Sequence, residues 1–312
     1  MSRLAVRLAL VLLCAACCPV ARTSAAEEAP FKRRKDVIYG RKYGTALTMD
    51  VFTPTKDARG VGVVFVVSGG WYSAPEAIDG PGQVFVRELT RRGYTVFAVC
   101  HGSMPRFTIP DILPDIQRAV RFIRYHAKDY GIDPDRIGIT GGSAGGHLSL
   151  MQGLTGDRGN PEAKDPVDRV SSRVQAVACF YPPTDFFNYG KEGENALGRG
   201  VLEPYKAAFD FHEFDPRSKT FVPVTDEKKI EEIGRRISPV YHVRGDAPPT
   251  LIIHGDADKL VPMQQSELLV NKLKEAGVEA KLVVKPGAGH GWGNMEKDLA
   301  VIADWFDAHL KK

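Results

Sequence analysis

Short apolar runs alternate with longer amphipathic stretches along most of this 312-residue chain. The apolar runs have the length and continuity expected of strands buried on both faces of a sheet, and they span residues 61–67, 94–99, 137–139, 174–181 and 250–254. Between and after them, apolar positions recur at helical spacing over residues 75–92, 112–130, 262–276 and 295–310. This alternation predicts an α/β fold with a mostly parallel central sheet and helices on both faces.

Two segments depart from the alternation. Residues 36–39 and 46–52 predict a pair of opening strands that are joined by a turn. Residues 182–249 contain no clear strand and are rich in Phe, Tyr, Gly and charged residues. Short helices are compatible with this segment, for instance over residues 226–236. A loop excursion of this length is usually functional. We expect a lid-like insertion over the active site, and a merely peripheral insertion is the alternative.

The first 26 residues have the features of an export signal. A basic start is followed by a nearly continuous apolar run over residues 8–20 and by small residues before Glu27. The apolar run is short for a membrane span, so we expect a cleaved signal and a secreted or periplasmic protein. An uncleaved anchor and a lipid-modified Cys17 or Cys18 are the alternatives. Residues 27–35 are expected to form a linker, and residues 36–312 the main domain.

Charge and cysteine content narrow the possible partners. Removal of the signal's three arginines lowers the formal net charge from +4 to +1, and no basic face is evident, so we expect no nucleic-acid partner. Outside the signal only Cys100 and Cys179 remain, both within apolar runs. Two buried thiols are therefore expected, rather than a disulfide or a metal site. The oligomeric state is not specified by these features.

A glycine-rich segment joins the third buried run to a helical pattern. It contains Gly141-Gly142-Ser143-Ala144-Gly145, which has the form Gly-x-Ser-x-Gly. A serine at a sharp strand-to-helix turn is held in strained backbone geometry with its hydroxyl exposed. The helix N-terminus behind it presents amide donors where an oxyanion would form. We therefore predict Ser143 to be a nucleophile.

A serine nucleophile needs a neighbouring base, and histidine is the usual one. The last predicted strand spans residues 278–285. Of the eight histidines, His290 lies in a glycine-rich loop directly after this strand and is the predicted base. His126 and His147 lie within predicted helices, and we expect them to be structural. His254 ends a predicted strand, and we expect it to brace the following turn.

Two aspartates that follow the strand at 250–254 are candidates to orient His290. Asp258 lies further past the turn, where its side chain can point at a loop histidine. Asp256 is better placed to cap or brace the turn itself. We predict Asp258 as the orienting carboxylate and keep Asp256 as the alternative.

The oxyanion of an acyl-transfer intermediate needs N–H donors. The glycine pair that follows the run at 61–67 allows backbone amides to approach a ligand closely. The predicted donors are the backbone amides of Gly69, Gly70, Trp71 and Ala144. His101 and Trp292 lie in loops at the same predicted sheet edge, and we expect both to line the substrate pocket.

Three motifs carry a resemblance to a known superfamily. They are Gly142-Ser143-Ala144-Gly145-Gly146-His147-Leu148, His254-Gly255-x-x-Asp258-x-x-Val261-Pro262 and Gly287-x-Gly289-His290-Gly291. Over about residues 36–312 the chain resembles the α/β-hydrolases, and among them the secreted bacterial esterases related to hormone-sensitive lipase and to feruloyl/acetyl esterases. The nucleophile, acid and base also follow the chain order of that superfamily. One departure is Ser68, which stands where the family usually has a histidine thought to brace the oxyanion loop.

The resemblance implies a serine hydrolase that cleaves carboxylic esters through a Ser143–His290–Asp258 triad and an acyl-enzyme, with no metal or cofactor. The expected substrate is an ester of a small molecule or of a polysaccharide. Two alternatives stay open. One is a peptidase similar to the prolyl oligopeptidases, which share these motifs, and the other is a non-catalytic binding protein on a hydrolase fold.

Overall fold

A computed structural model of the chain describes residues 30–310, so the predicted signal lies outside the described residues. Ten strands occur within this range: β1 (Phe31–Lys42), β2 (Thr45–Pro54), β3 (Val61–Val67), β4 (Tyr94–Cys100), β5 (Ile137–Gly142), β6 (Ala176–Phe180), β7 (His212–Asp215), β8 (Thr220–Pro223), β9 (Thr250–Gly255) and β10 (Ala280–Lys285). Eight of them form one sheet in the order β1-β2-β4-β3-β5-β6-β9-β10. All neighbours from β4 to β10 are parallel, and only the β1–β2 and β2–β4 pairs are antiparallel. The predicted α/β class is therefore confirmed.

Helices cover both faces of the sheet. The described range contains seven α-helices: α1 (Glu76–Asp79), α2 (Gln83–Arg91), α3 (Ile109–Tyr125), α4 (Ala144–Thr155), α5 (Glu227–Arg236), α6 (Gln264–Glu275) and α7 (Met295–His309). Apolar residues of α3, α4 and α6 join one buried cluster, and those of α2 and α7 join a second cluster on the opposite face. Every residue of β3 and β4 is buried, as the uninterrupted apolar runs predicted.

Local signals set the start of α3. The helix begins three residues earlier than its apolar spacing predicted, because Thr108 and Asp111 form a capping box that closes its first turn. The apolar side of α3 then packs on the sheet, where its isoleucines are fully buried. The strand-to-helix crossovers therefore leave the C-terminal ends of β3, β5, β6, β9 and β10 at one edge of the sheet.

Two sequence-based boundaries need correction. Residues 31–35, expected to form a linker, are the first part of β1 and pair with β2, because an alternating exposed strand carries little hydrophobic signal. The segment 182–249 contains a two-stranded hairpin, β7–β8, although no strand was predicted there. Its helix α5 matches the predicted one to within a residue.

The two cysteines of the main domain, Cys100 and Cys179, are buried and unpaired, as predicted. Burial raises the pKa of the Cys100 thiol to about 11, so this thiol stays protonated at neutral pH. Within residues 30–310, no helix combines the length and the apolar character needed to cross a lipid bilayer.

Candidate active site

Ser143 occupies a sharp turn between β5 and α4. Its backbone angles, φ 53° and ψ −121°, lie in a region that residues with a side chain rarely adopt. Two glycines permit the turn. A Cβ added at Gly141 would lie 2.6 Å from the Gly145 carbonyl carbon, and one added at Gly145 would lie 2.7 Å from the Val66 carbonyl oxygen. Because neither position carries a side chain, the backbone can turn tightly here, and Ser143 lines a cavity at the turn.

His290 lies between Ser143 and Asp258. Its Nε2 is 2.9 Å from the Ser143 Oγ, and its Nδ1 is 2.8 Å from the Asp258 Oδ2. Because an ionised carboxylate only accepts hydrogen bonds, Nδ1 carries the proton and Nε2 is free to accept from the serine hydroxyl. The residues that the sequence singled out, from three separate loops, thus meet at the sheet edge.

The Asp258 side chain is fully buried. Burial raises the pKa of its carboxyl, but hydrogen bonds from His254, from His290 and from the Val261 amide outweigh that effect and hold the pKa well below its usual range. The amides of Leu260 and Val261 each donate to Oδ1 at 2.9 Å. Asp258 therefore stays ionised at neutral pH.

The neighbouring groups have the structural positions expected of them. Asp256 is exposed and accepts a 2.6 Å hydrogen bond from the Gly287 amide, so it braces the loop that carries His290. His254 is buried, and its Nε2 lies 2.8 Å from the Val261 carbonyl oxygen and 3.3 Å from Asp258. His254 therefore braces the acid loop, as predicted.

The loop after β3 presents amides to the same cavity. Gly70 and Trp71 both have left-handed backbone angles, with φ of 56° and 61°. Among residues 30–310, neither of their amides donates to a backbone carbonyl or to a side chain. Ala144 is the first residue of α4, so its amide has no partner within the helix.

Gly69 does not fit its predicted role. Its amide donates a 2.9 Å hydrogen bond to the Tyr72 carbonyl, and Tyr72 donates back to the Gly69 carbonyl. This tight reciprocal bridge uses the Gly69 amide to close the turn. The available donors at this edge are therefore the amides of Gly70, Trp71 and Ala144.

Two hydrogen-bonded histidines hold this loop. The His101 Nε2 lies 2.9 Å from the Ser68 hydroxyl. At the position of Ser68 the family that the chain resembles usually has a histidine, so here the histidine ring comes from His101 instead. The indole of Trp71 donates to Nδ1 of His147 at 3.2 Å, and the Nε2 of His147 donates to the Ile237 carbonyl at 2.7 Å. Burial lowers the pKa of each of these histidines to about 4, so both are neutral at pH 7.

His101 and Trp292 do not line the cavity, contrary to expectation. His101 is 5% exposed, and both of its ring nitrogens are engaged, one with Ser68 and one with the Gly102 carbonyl. Trp292 donates to the Asp298 carboxylate at 2.7 Å and packs behind Tyr181. In both cases a polar partner within the fold turns the side chain away from the space above Ser143.

The cavity in front of Ser143 has a volume of about 580 Å³. Its walls are mainly apolar and are formed by residues that include Phe65, Val67, Ala74, Ala77, Pro81, Phe85 and Leu260. Tyr72, Tyr181 and Tyr205 also line it. Tyr205 comes from the 182–249 segment and covers Gly70 so closely that a Cβ added at Gly70 would lie 2.4 Å from its ring.

Sequence reasoning missed Tyr181 and did not separate Tyr205 from the other aromatic residues of its segment. A signal existed for Tyr181, because it directly follows the buried strand β6 at the edge where the other candidates lie. No comparable signal distinguishes Tyr205. Tyr205 lines the cavity, whereas four other aromatic residues of the segment are buried in the domain, namely Phe186, Tyr189, Phe209 and Phe211.

Comparison with known proteins is consistent with this geometry. Residues 49–273 match the BD-FAE family. The probable carboxylic ester hydrolase LipM of Mycobacterium tuberculosis is 32% identical over 242 residues, which cover 77% of this chain and 51% of LipM. The chain spans about half the length of these curated relatives, LipM and the esterases LipC and LipQ of the same organism.

Solved structures share the fold over nearly the whole described chain. A truncated form of a carbohydrate esterase from gut microbiota is 26% identical, with a TM-score of 0.73 over 92% of this chain and 99% of that one. The butyrate-bound thermophilic esterase of Thermogutta terrifontis is 25% identical, with a TM-score of 0.66 over 89% of this chain and 94% of that one.

Proposed function

The chain belongs to the BD-FAE family and has the α/β-hydrolase fold, and on that premise we propose that it hydrolyses carboxylic esters with Ser143, His290 and Asp258 as a catalytic triad. The observation that supports this most is the pair of hydrogen bonds that joins the three side chains, 2.9 Å and 2.8 Å long, at the wall of an apolar cavity. The names of the relatives and structural neighbours, which are esterases, support the same activity.

In the proposed acylation step, the Ser143 Oγ attacks the ester carbonyl carbon while the Nε2 of His290 takes its proton. The negative oxygen of the tetrahedral intermediate accepts hydrogen bonds from the amides of Gly70, Trp71 and Ala144. Asp258 keeps Nδ1 of His290 protonated and stabilises the imidazolium that forms. The carbon–oxygen bond to the alcohol then breaks, and the leaving oxygen takes the proton from His290.

Deacylation repeats the same sequence with water. His290 removes a proton from a water molecule that attacks the acyl-enzyme carbonyl, and it returns the proton to the Ser143 oxygen as the acid leaves. The partial positive charge at the N-terminus of α4 stabilises both oxyanions. His290 carries every proton transfer in this scheme, and the amides stabilise the oxyanion without transferring a proton.

The proposed substrates are acetyl and aromatic acyl esters, including esters attached to a polysaccharide. A cavity of about 580 Å³ is within the range of small-molecule sites, and it exceeds what an acetyl group alone would fill. Its phenylalanine and alanine walls suit an apolar or aromatic group. Phe65 and Phe85 both line it, and their rings are stacked with centroids 4.5 Å apart.

A substrate screen of the purified protein tests the proposal. We expect turnover of p-nitrophenyl acetate, p-nitrophenyl butyrate and methyl ferulate by the wild-type protein. Ser143→Ala should lower kcat by at least about 10³-fold, because loss of a nucleophile removes the acyl-enzyme route. The exposed Ser218 lies in the turn of the β7–β8 hairpin, and Ser218→Ala is the matched control that should retain full activity.

Other outcomes of the screen select the alternatives. Faster cleavage of proline-containing peptide p-nitroanilides than of any ester would favour the peptidase. A folded wild-type protein that turns over neither class, yet binds an ester-bearing oligosaccharide, would be a binding protein. Ester turnover that survives Ser143→Ala at more than about a tenth of the wild-type rate would remove Ser143 as the nucleophile.

We further propose that the protein is exported. The argument rests on the sequence of residues 1–26, in which a basic start, an apolar run and small residues precede Glu27. Cell fractionation with N-terminal sequencing of the mature protein tests it. A mature chain that begins near Glu27 is expected, whereas a blocked N-terminus at Cys17 or Cys18 would indicate a lipid anchor.

A further inference from the structure

Tyr181 occupies a strained position at the edge of the sheet that carries the proposed triad. It follows β6 directly and has a φ of 34°, which is unusual for a bulky aromatic residue. Its amide donates to the Ile253 carbonyl at 2.9 Å, so the adjacent strand β9 holds the backbone in this conformation. Strain of this kind persists where the surrounding structure enforces it, commonly at functional sites.

The strain directs the Tyr181 side chain towards the proposed catalytic centre. A Cβ added at Gly142, the residue before Ser143, would lie 3.4 Å from the Tyr181 hydroxyl oxygen. A Cβ added at Gly291, the residue after His290, would lie 3.9 Å from the same oxygen. The hydroxyl is therefore close to the backbone on both sides of the Ser143–His290 pair.

The hydroxyl has no strong hydrogen-bond acceptor of its own. Among residues 30–310, its partner is the Met295 sulfur at 3.9 Å, and a thioether is a weak acceptor. Burial raises the pKa of Tyr181 to about 12, so the hydroxyl keeps its proton at neutral pH. Tyr181 therefore offers an O–H donor to the cavity, whose walls are otherwise mainly apolar.

The position of the ring shows which side of the substrate this donor faces. Its centroid is 4.6 Å from that of His290, and Trp292 packs behind it at 5.5 Å. Two of the amides proposed to bind the oxyanion, those of Gly70 and Trp71, lie in the loop after β3, and Tyr205 covers Gly70. In acyl transfer the leaving oxygen is the atom that approaches the base to collect its proton. The side that His290 occupies is thus the leaving-group side.

We propose that the Tyr181 hydroxyl donates a hydrogen bond to the leaving alcohol oxygen of the ester, next to His290 Nε2. This inference rests on the proposed esterase function. As the carbon–oxygen bond breaks, its electron pair moves onto the alcohol oxygen and the proton on His290 Nε2 transfers to that oxygen. Tyr181 keeps its own proton and stabilises the negative charge that develops before the transfer is complete.

The hydrogen bond accelerates most the cleavage of esters of basic alcohols, such as sugar hydroxyls and alkanols. An alkoxide leaving group carries more charge in the transition state than a phenolate, which leaves readily without assistance. The donor therefore adds most to the rates of alkyl and carbohydrate esters and least to those of activated aryl esters.

A leaving-group series measures this effect directly. kcat/KM would be determined for ethyl, trifluoroethyl, phenyl and p-nitrophenyl acetates, which share one acyl group and form one acyl-enzyme. In Tyr181→Phe, which keeps the ring and removes the hydroxyl, kcat/KM for ethyl acetate should fall about tenfold, the worth of one ordinary hydrogen bond. The value for p-nitrophenyl acetate should fall less than about threefold, so the dependence of rate on leaving-group basicity should steepen.

Tyr205→Phe makes the same chemical change on the oxyanion side of the cavity and should change kcat/KM for all four acetates by one common factor. If Tyr181→Phe also lowers all four equally, or lowers none, the proposal is overturned. Should that variant fail to fold, as judged by thermal unfolding, replacement of Tyr181 by 3-fluorotyrosine strengthens the donor and should raise the ethyl-to-p-nitrophenyl ratio. An unchanged or lower ratio would overturn the proposal, whereas a wild-type protein inactive on every ester would overturn the esterase function itself.

Discussion

Three residues at the candidate site share an uncommon backbone conformation. Trp71, Ser143 and Tyr181 have φ values of 61°, 53° and 34°, and each lies within four residues of the C-terminal end of a parallel strand. Each is held by a different means. The Trp71 indole bonds to His147, two glycines make room for Ser143, and β9 binds the Tyr181 amide. Strain that three independent contacts maintain at one sheet edge is typical of a functional site.

The two aspartates of the acid loop should respond differently to the same substitution. Asp258→Asn should lower kcat by on the order of 10⁴, because an amide at this position favours the wrong tautomer of His290. Asp256→Asn weakens one hydrogen bond to the Gly287 amide and should cost about 1 kcal/mol of stability with little loss of kcat. Steady-state kinetics and urea unfolding of both variants check this. A folded Asp256→Asn enzyme slower than Asp258→Asn would reverse the assignment.

The 182–249 segment packs against the loop that carries the proposed oxyanion donors. Trp71 contacts the rings of Phe186 and Phe209 at 5.9 Å and 5.1 Å, and His147 reaches across to the Ile237 carbonyl. Most aromatics of the segment are therefore part of its attachment to the domain. Tyr205 differs, because it lines the cavity and lies against Gly70.

We therefore predict that Tyr205 influences substrate choice. Tyr205→Ala opens the cavity wall and should change the ratio of kcat/KM between acetyl and aromatic acyl esters by about tenfold, equivalent to about 1.4 kcal/mol. Phe211→Ala, at a buried residue of the same segment, should lower the free energy of unfolding by about 3–5 kcal/mol and leave that ratio unchanged. A ratio that moves in neither variant would exclude the segment from specificity and would shift attention to the loop around Tyr72.

At the scale of the whole molecule, one edge of one sheet gathers residues that are distant in sequence. The loops after β3, β5, β6, β9 and β10 supply the amides, the nucleophile, Tyr181, the acid and the base. The helices on both faces bury the sheet completely in its centre, which makes the edge a rigid platform. Two histidines, His101 and His147, are also buried in this fold and stay neutral at pH 7.

Because of these two histidines, we predict that the folded protein loses stability in acid. Because burial lowers the pKa of each to about 4 in the folded protein, against about 6.5 when unfolded, the unfolded state binds more protons between those values. Stability should therefore fall as pH drops from about 6.5 towards 4, by roughly 2–3 kcal/mol per histidine at pH 4.5.

Urea unfolding from pH 7 to pH 4.5 measures this dependence. His147→Gln removes one of the two groups and should flatten the slope, even if the variant is less stable at pH 7. Phe211→Ala should lower stability by the same amount at every pH and leave the slope as in the wild-type protein. An unaltered slope in His147→Gln would show that His147 does not contribute to the acid sensitivity.

Local patterns in the sequence were sufficient for the α/β class and for the positions of most of the central strands and helices. The reason is that continuous apolar runs and helical spacing reflect burial on a sheet, whatever the remaining chain does. The same applies to Ser143, whose neighbouring glycines are required by the turn itself. That Ser143 acts together with His290 and Asp258 stays a prediction. The two hydrogen-bond distances that join the three side chains are those that a catalytic triad requires.

The tertiary structure alone decided which groups around the nucleophile are available. The Gly69 amide closes a turn and is not free to donate into the cavity, and His101 and Trp292 bond to Ser68 and Asp298 and do not face the cavity. Tyr181 and Tyr205 do, although their aromatic neighbours in sequence are buried. Whether a polar atom is free or engaged depends on the partner that the folded chain places beside it, whether that partner is near in sequence, as Tyr72 is to Gly69, or distant, as Ser68 is to His101. Neither spacing nor composition contains that information. Residue types and spacing thus determined the fold and the candidate triad, and the contacts made in the folded chain decided the walls and donors of the site.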